Sequence, residues 1–199
     1  MELSPLAREK LTKIGNLSSE EREKLKCNKE LTSLLSDYFT DKIDTDGLQS
    51  KLNKFKENGY SFMIKETQLR LLHAMTLGGN NYDFERYRNG ILTCETLKER
   101  NRLSELEQTL KSIESLRQQY QQEKETAFNS MKEGIQSKVK MAAQQVARQN
   151  RNKNVSVDIE QSAAASVKAS PQWRDFILEH EKTYGQRYKD CLAKTQMLI

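Results

Sequence analysis

Proline and glycine are scarce: two prolines and eight glycines in 199 residues, about 5% where ordinary chains carry roughly 12%. That shortage excludes collagen-like and Pro/Gly-rich disordered chains. It also argues against an all-β sandwich, which needs a turn every 8–12 residues or so. Too few glycines remain for the phosphate-cradling loops of Rossmann or P-loop enzymes. No run of 18 apolar residues exists, so no membrane-spanning helix is expected. The opening MELSPLAREKLTKIG holds no continuous apolar stretch and does not read as a signal peptide. Cysteine is sparse and scattered, at Cys27, Cys94 and Cys191 with no CxxC. That pattern suits free thiols in a reducing cytoplasm rather than a disulfide framework.

What the chain does have is charge. Lys, Arg, Asp and Glu make up 31% of it, nearly matching the 36% contributed by the hydrophobic set. Such a composition suits long helices that bury a stripe. The net charge is +5, and all of the excess sits in residues 131–157. There Lys132, Lys138, Lys140, Arg148, Arg151 and Lys153 face only Glu133, while the remainder of the chain is balanced.

Local signals divide the chain into helices. Ser4, Pro5 and Gly15 frame a first helix over residues 4–14. Ser18 and Glu21 form a capping box opening a helix with Leu25, Leu31, Leu34, Leu35 and Phe39. A break over 40–47 precedes a short helix with Leu48, Leu52 and Phe55, closed by Asn58-Gly59. Residues 61–77 carry little polar face and read as the most buried helix, ending at Gly78-Gly79-Asn80-Asn81. Leu35, Phe55, Phe62, Leu69 and Leu72 are expected to share a core.

Beyond that turn the helical pattern runs to about residue 150 without a proline. Leu103, Leu106, Leu110, Ile113, Leu116 and Tyr120 recur at spacings of three and four. Ala127, Met131, Ile135, Val139, Ala142 and Val146 continue the stripe after a polar gap. As one helix, residues 95–150 would reach about 80 Å at 1.5 Å per residue. Asp158 is expected to cap a helix through Val167, and Ser170-Pro171 to restart the chain. The last helix carries Trp173, Phe176, Tyr184 and Tyr188, with His180 and Thr195 completing the face. It should lie antiparallel on the long helix, with Trp173 and Phe176 against Val139 or Met141. The expected fold is therefore all-α: a small helical domain over 1–80, a long coiled-coil-like helix over 81–150, and a connector and C-terminal helix over 151–199.

Motifs for chemistry are thin. Asp41, Asp44, Asp46 and Gly47 suggest a calcium loop, but with Gly47 at position six the loop would start at Lys42 and end at Asn53. Aspartates capping the next helix explain the cluster. His73 and His180 lack metal-ligand spacing, and no ExxH pair suits a di-iron bundle. Neither a nucleophile elbow nor a cysteine-protease signature is present. No cofactor or metal is expected, and no enzymatic activity.

The leading functional expectation is a non-enzymatic, cytoplasmic coiled-coil interaction or scaffold protein. Leu103, Leu106, Leu110, Ile113, Leu116 and Tyr120 would form its helix–helix seam, with self-association as a dimer and an unidentified protein as partner. Trp173, Phe176, Tyr184 and Tyr188 would lock down the last helix. The alternative is nucleic-acid binding, with Lys138, Lys140, Arg148, Arg151 and Lys153 tracking phosphates. The absence of aromatics from that segment makes it a poor base-stacking platform.

Overall fold

A computed structural model describes the backbone of residues 18–149 and 159–199, and side chains for Ser18, 21–142 and 160–199. The expected first helix over 4–14 lies outside the described residues, as do the break over 150–154 and the Asp158 cap. Among the described residues there are seven α-helices and no strand: α1 (Ser19–Phe39), α2 (Thr45–Glu57), α3 (Phe62–Ala74), α4 (Asn81–Thr96), α5 (Leu103–Gln149), α6 (Ile159–Ala169) and α7 (Pro171–Leu198). The fold is all-α, with a helical cluster, a long central helix and a C-terminal helix running back along it.

The chain forms two compact units. The first holds α1–α4 and the opening turn of α5 to Leu106; the second holds Thr76–Gly79 and the chain from Glu107 onward. By packing, α4 therefore goes with the first unit, although the glycine turn suggests a boundary at residue 80.

In the first unit, α1 begins at the capping box. The Glu21 N–H donates to Ser18 Oγ at 3.2 Å and the Ser18 N–H to Glu21 Oε2 at 2.8 Å. Its inner face buries Leu31, Leu34, Leu35 and Tyr38. Asp44 caps α2 by accepting from the Gly47 N–H at 2.8 Å, which gives the aspartate cluster its structural role. Asn58 closes α2, and Gly59 follows with φ of +85°. The core gathers Tyr38, Leu48, Leu52, Met63, Leu71, Leu72 and Ile91. Phe55 and Leu69 are only half-buried, and Phe62 is exposed, so the expected grouping is corrected. Phe62 opens α3 on its outer side, edge-on to Tyr60 at 6.3 Å.

Close approach of α4 depends on Gly90. A Cβ there would sit 2.8 Å from Leu71 Cδ1 and 3.1 Å from the Tyr38 hydroxyl, inside van der Waals contact. Arg86, one turn earlier, latches α4 to the end of α1. Its Nε donates to the Tyr38 carbonyl at 2.6 Å, its Nη2 donates to the Ile43 carbonyl, and its Nη1 pairs with Asp41. Tyr38 returns a hydrogen bond to the Arg86 carbonyl at 2.7 Å.

The long helix is shorter than its sequence pattern suggests. The helical run breaks after Thr96, and α5 starts at Leu103 with 47 residues. No glycine or proline causes the break. Glu95 does: its carboxylate, 1% exposed, accepts from Gln68 Nε2 at 2.8 Å, pairs with Lys98 Nζ at 2.8 Å, and accepts from the Arg102 N–H at 2.8 Å. One buried side chain thus ties the end of α4 to the residue that opens α5. Lys56 Nζ donates to the Leu97 carbonyl at 2.8 Å, satisfying one of the carbonyls left open at that end of α4. Burial alone would raise the Glu95 pKa, but the bonds from Gln68, Lys98 and the Arg102 N–H outweigh it and hold it below the ordinary value.

In the second unit, α7 runs antiparallel to α5. Tyr120 meets His180 and Tyr184, while Phe128, two turns further along α5, meets Trp173, two turns earlier on α7. Phe128 thus takes the place expected for Val139 or Met141. The displacement follows from α6, whose 11 residues occupy the returning chain before Pro171. Ser170 makes the corner, its Oγ accepting from the Trp173 N–H at 3.1 Å. The rings form a continuous ladder: Phe128–Trp173 at 5.3 Å, Trp173–Phe176 at 5.4 Å, Phe176–His180 at 5.0 Å and His180–Tyr120 at 4.8 Å. His180 Nε2 bonds the Tyr120 carbonyl at 3.0 Å. A carbonyl only accepts, so this bond requires a proton on Nε2.

Candidate interaction surface

The apolar stripe of α5 changes character along its length. Leu106, Leu110, Ile113, Leu116 and Tyr120 are buried within the single chain, while Leu103 is exposed. Leu116 lines a groove together with Arg187 and Cys191 of α7, and Tyr120 stacks on His180. At Leu116 and Tyr120 the expected seam thus meets the chain's own α7, which reaches further back along α5 than the sequence suggests. Of the C-terminal set, Tyr184 and Tyr188 are buried, and Trp173 and Phe176 are half-buried.

Further along, cover thins. Ala127, Phe128, Met131 and Ile135 are half-buried. Val139 is 36% exposed and Met141 66% exposed. The helix continues to Gln149. Next to this stretch, the first turn of α6 is held by Lys132, whose Nζ lies 2.7 Å from Glu160 Oε1. Ala163 and Val167 are the buried side of α6.

Helix geometry sorts the residues of this stretch. At about 100° per residue, Met141, Lys138, Ala142, Ile135 and Val139 fall within one arc of about 160°. Lys140 lies on the far side, in a groove with Asn129, Lys132, Glu133, Gln136 and Glu160. Lys138 and Lys140, both exposed, thus serve different faces and do not form one basic stripe. The side chain of Arg148, together with Arg151 and Lys153, lies outside the described residues.

Cys94, Cys27 and His180 are engaged in packing. Cys94 is buried and its thiol is pushed up to about 12 by desolvation. Cys27 is also buried and shifted upward, by burial first and by Glu30 and Glu23 next. His180 is stacked between Phe176 and Tyr120, with Glu123 Oε2 3.7 Å from its Nδ1. Burial raises the Tyr184 hydroxyl pKa, reinforced by Glu123. His73 is exposed in the last turn of α3. Among the described residues, no three His, Cys, Asp or Glu side chains cluster as metal ligands, and no helix is long and apolar enough to cross a membrane.

Three features escape the sequence reading. Arg117 is 5% exposed and donates from Nε to the Thr76 carbonyl at 2.9 Å and from Nη2 to the Gly79 carbonyl at 2.6 Å. Glu95 is buried, although its charge predicts a solvated position. Cys191 is half-exposed in the groove with Lys111, Ser112, Ser115, Leu116, Gln119 and Arg187. Only Arg117 and Glu95 sit at apolar-stripe spacing with neighbours that hint at burial.

Residues 49–199 match the model of a family of unknown function, DUF6657. The chain belongs to this family. The matched stretch begins inside α2 and takes in α3 to α7, and with them the whole of α5. Neither the curated proteins nor the solved structures contain a match to the chain.

Proposed function

We propose that this protein is a non-catalytic, cytoplasmic binding protein that acts through helix–helix association, with the uncovered length of α5 as its binding element. One observation carries the reading: the same apolar stripe is buried at Leu110, Ile113 and Leu116 and open at Val139, with Met141 exposed beside it. Burying a large apolar side chain contributes roughly 1.5–3 kcal/mol, so an open stripe on an ordered helix is a standing offer of binding energy. Support for a non-catalytic role comes from the engagement of His180, Cys27 and Cys94 in packing. The three free thiols suit a reducing compartment.

Self-association through the leucine seam is not needed to bury it, so the partner in this reading is a different molecule. The test is site-specific photo-crosslinking. A p-benzoylphenylalanine placed at Met141 should yield discrete adducts in cells that natively produce the protein. The same group at Lys51, an exposed position on α2, should yield none. Equal labelling at both positions, or none at Met141, overturns the reading.

A further inference from the structure

Resting on that reading, the geometry points to the chemistry of the partner: we propose that the arc of α5 from Lys138 through Ala142 to Val139 takes an acidic amphipathic helix of another protein. Around the helix, Ala142, Ile135 and Val139 form a continuous apolar strip, bordered by Lys138, with Met141 beyond that lysine. Lys138 forms no ion pair with any other described residue. An occupant must therefore bring an apolar stripe with carboxylates beside it.

The chain itself shows this stretch of α5 pairing with a carboxylate from another helix. The first turn of α6 brings Glu160 to Lys132 at 2.7 Å and turns Ala163 and Val167 inward. One to two turns before Lys138, α5 thus already pairs with a carboxylate from another helix. The surplus of positive charge over 131–157 gives the approach of an anionic partner a favourable field.

Two other occupants fit less well. A second copy would set one basic stretch against another, which repels. A nucleic acid would need cations aligned along one face, whereas Lys138 and Lys140 point to different sides and Lys132 is already paired.

The test uses the purified full chain and a fluorescein-labelled synthetic amphipathic helix of Leu, Ala and Glu. Controls are the same helix with Lys in place of Glu, a short duplex DNA, and phosphatidylserine vesicles. Anisotropy should show the Glu helix binding at least about tenfold more tightly than any control. A double variant, Lys138→Glu with Val139→Ser, should weaken that binding about tenfold while leaving the circular dichroism unchanged. Tighter binding of duplex or vesicles, indifference to the double variant, or no binding of the Glu helix overturns the proposal. So does a concentration-dependent dimer in light scattering that the double variant dissolves. Replacing residues 150–158 with a Gly/Ser linker of equal length should leave the affinity unchanged; a rise of about tenfold or more would assign the arc to the chain's own connector and overturn the proposal. Adducts at Met141 without binding of the Glu helix would remove this chemistry and leave the broader reading standing.

Discussion

The two units solve the same problem, holding amphipathic helices together, with different materials. The first packs α3 and α4 closely through Gly90 and stitches the assembly with polar groups: buried Gln68 and Glu95, and half-buried Arg86 over the Tyr38 ring at 4.3 Å. The second fills the space between α5 and α7 with large rings. The difference is instructive because polar stitching is directional and fails when one partner is removed. Ring packing spreads its stabilisation over many contacts and is sensitive to volume. Trp173, the only tryptophan, lies in the second unit, so its fluorescence reports on that unit while circular dichroism reports on both.

The largest break in the comparison should come from Glu95→Ala. It removes the carboxylate that pairs Lys98 and accepts from Gln68 and the Arg102 N–H, at a cost of about 3–5 kcal/mol. Urea unfolding should show an early loss of helical signal with the Trp173 transition little moved. The pH dependence adds a sign. A carboxylate held below its ordinary value of 4.5 contributes stability that is present above that value and lost as pH falls through its folded-state pKa. Glu95→Gln should therefore flatten the acid limb of the stability curve.

Tyr120→Ala attacks the second unit, removing the ring stacked on His180, and should cost about 3–5 kcal/mol. Here the Trp173 fluorescence midpoint should fall first. A smaller effect is expected from Gly90→Ala, which forces Leu71 and Tyr38 apart for about 1–3 kcal/mol. Circular dichroism should register this loss, with the Trp173 midpoint held. The smallest is Tyr188→Phe. The Tyr188 hydroxyl is buried without a hydrogen-bond partner among the described residues and is pushed up to about 12, by burial above all. Removing it should stabilise the second unit by up to about 1 kcal/mol, read as a rise in the Trp173 urea midpoint. A loss instead would show that the second unit depends on polar stitching beyond that of Arg117 and His180.

Much of the fold was legible because its signals are local. The Ser18–Glu21 box, the Asn58-Gly59 stop and the Ser170-Pro171 restart each lie within four residues of chain. The break between α4 and α5 was not legible, because Glu95 reaches across seven residues to the Arg102 N–H and across 27 to Gln68. Nothing in the segment Leu97-Lys98-Glu99-Arg100-Asn101-Arg102 disfavours helix strongly. The seam residues of α5 could be picked out by spacing, but their occupant could not, since periodicity shows that a stripe is covered and not by what. Similarly, the charge excess over 131–157 is plain in composition. The separation of Lys138 from Lys140 follows from helix geometry, and the openness of Met141 only from where α6 and α7 lie.

The Arg117 contacts bear on how the chain can be cut or extended. By sequence, Gly78-Gly79 is the obvious place to insert a tag, nick with a protease or open a new terminus. With two of its carbonyls held by a guanidinium from α5, that turn behaves as part of the interior framework. The Asn58-Gly59 turn, fastened only by its own helix cap, is the better door into the molecule.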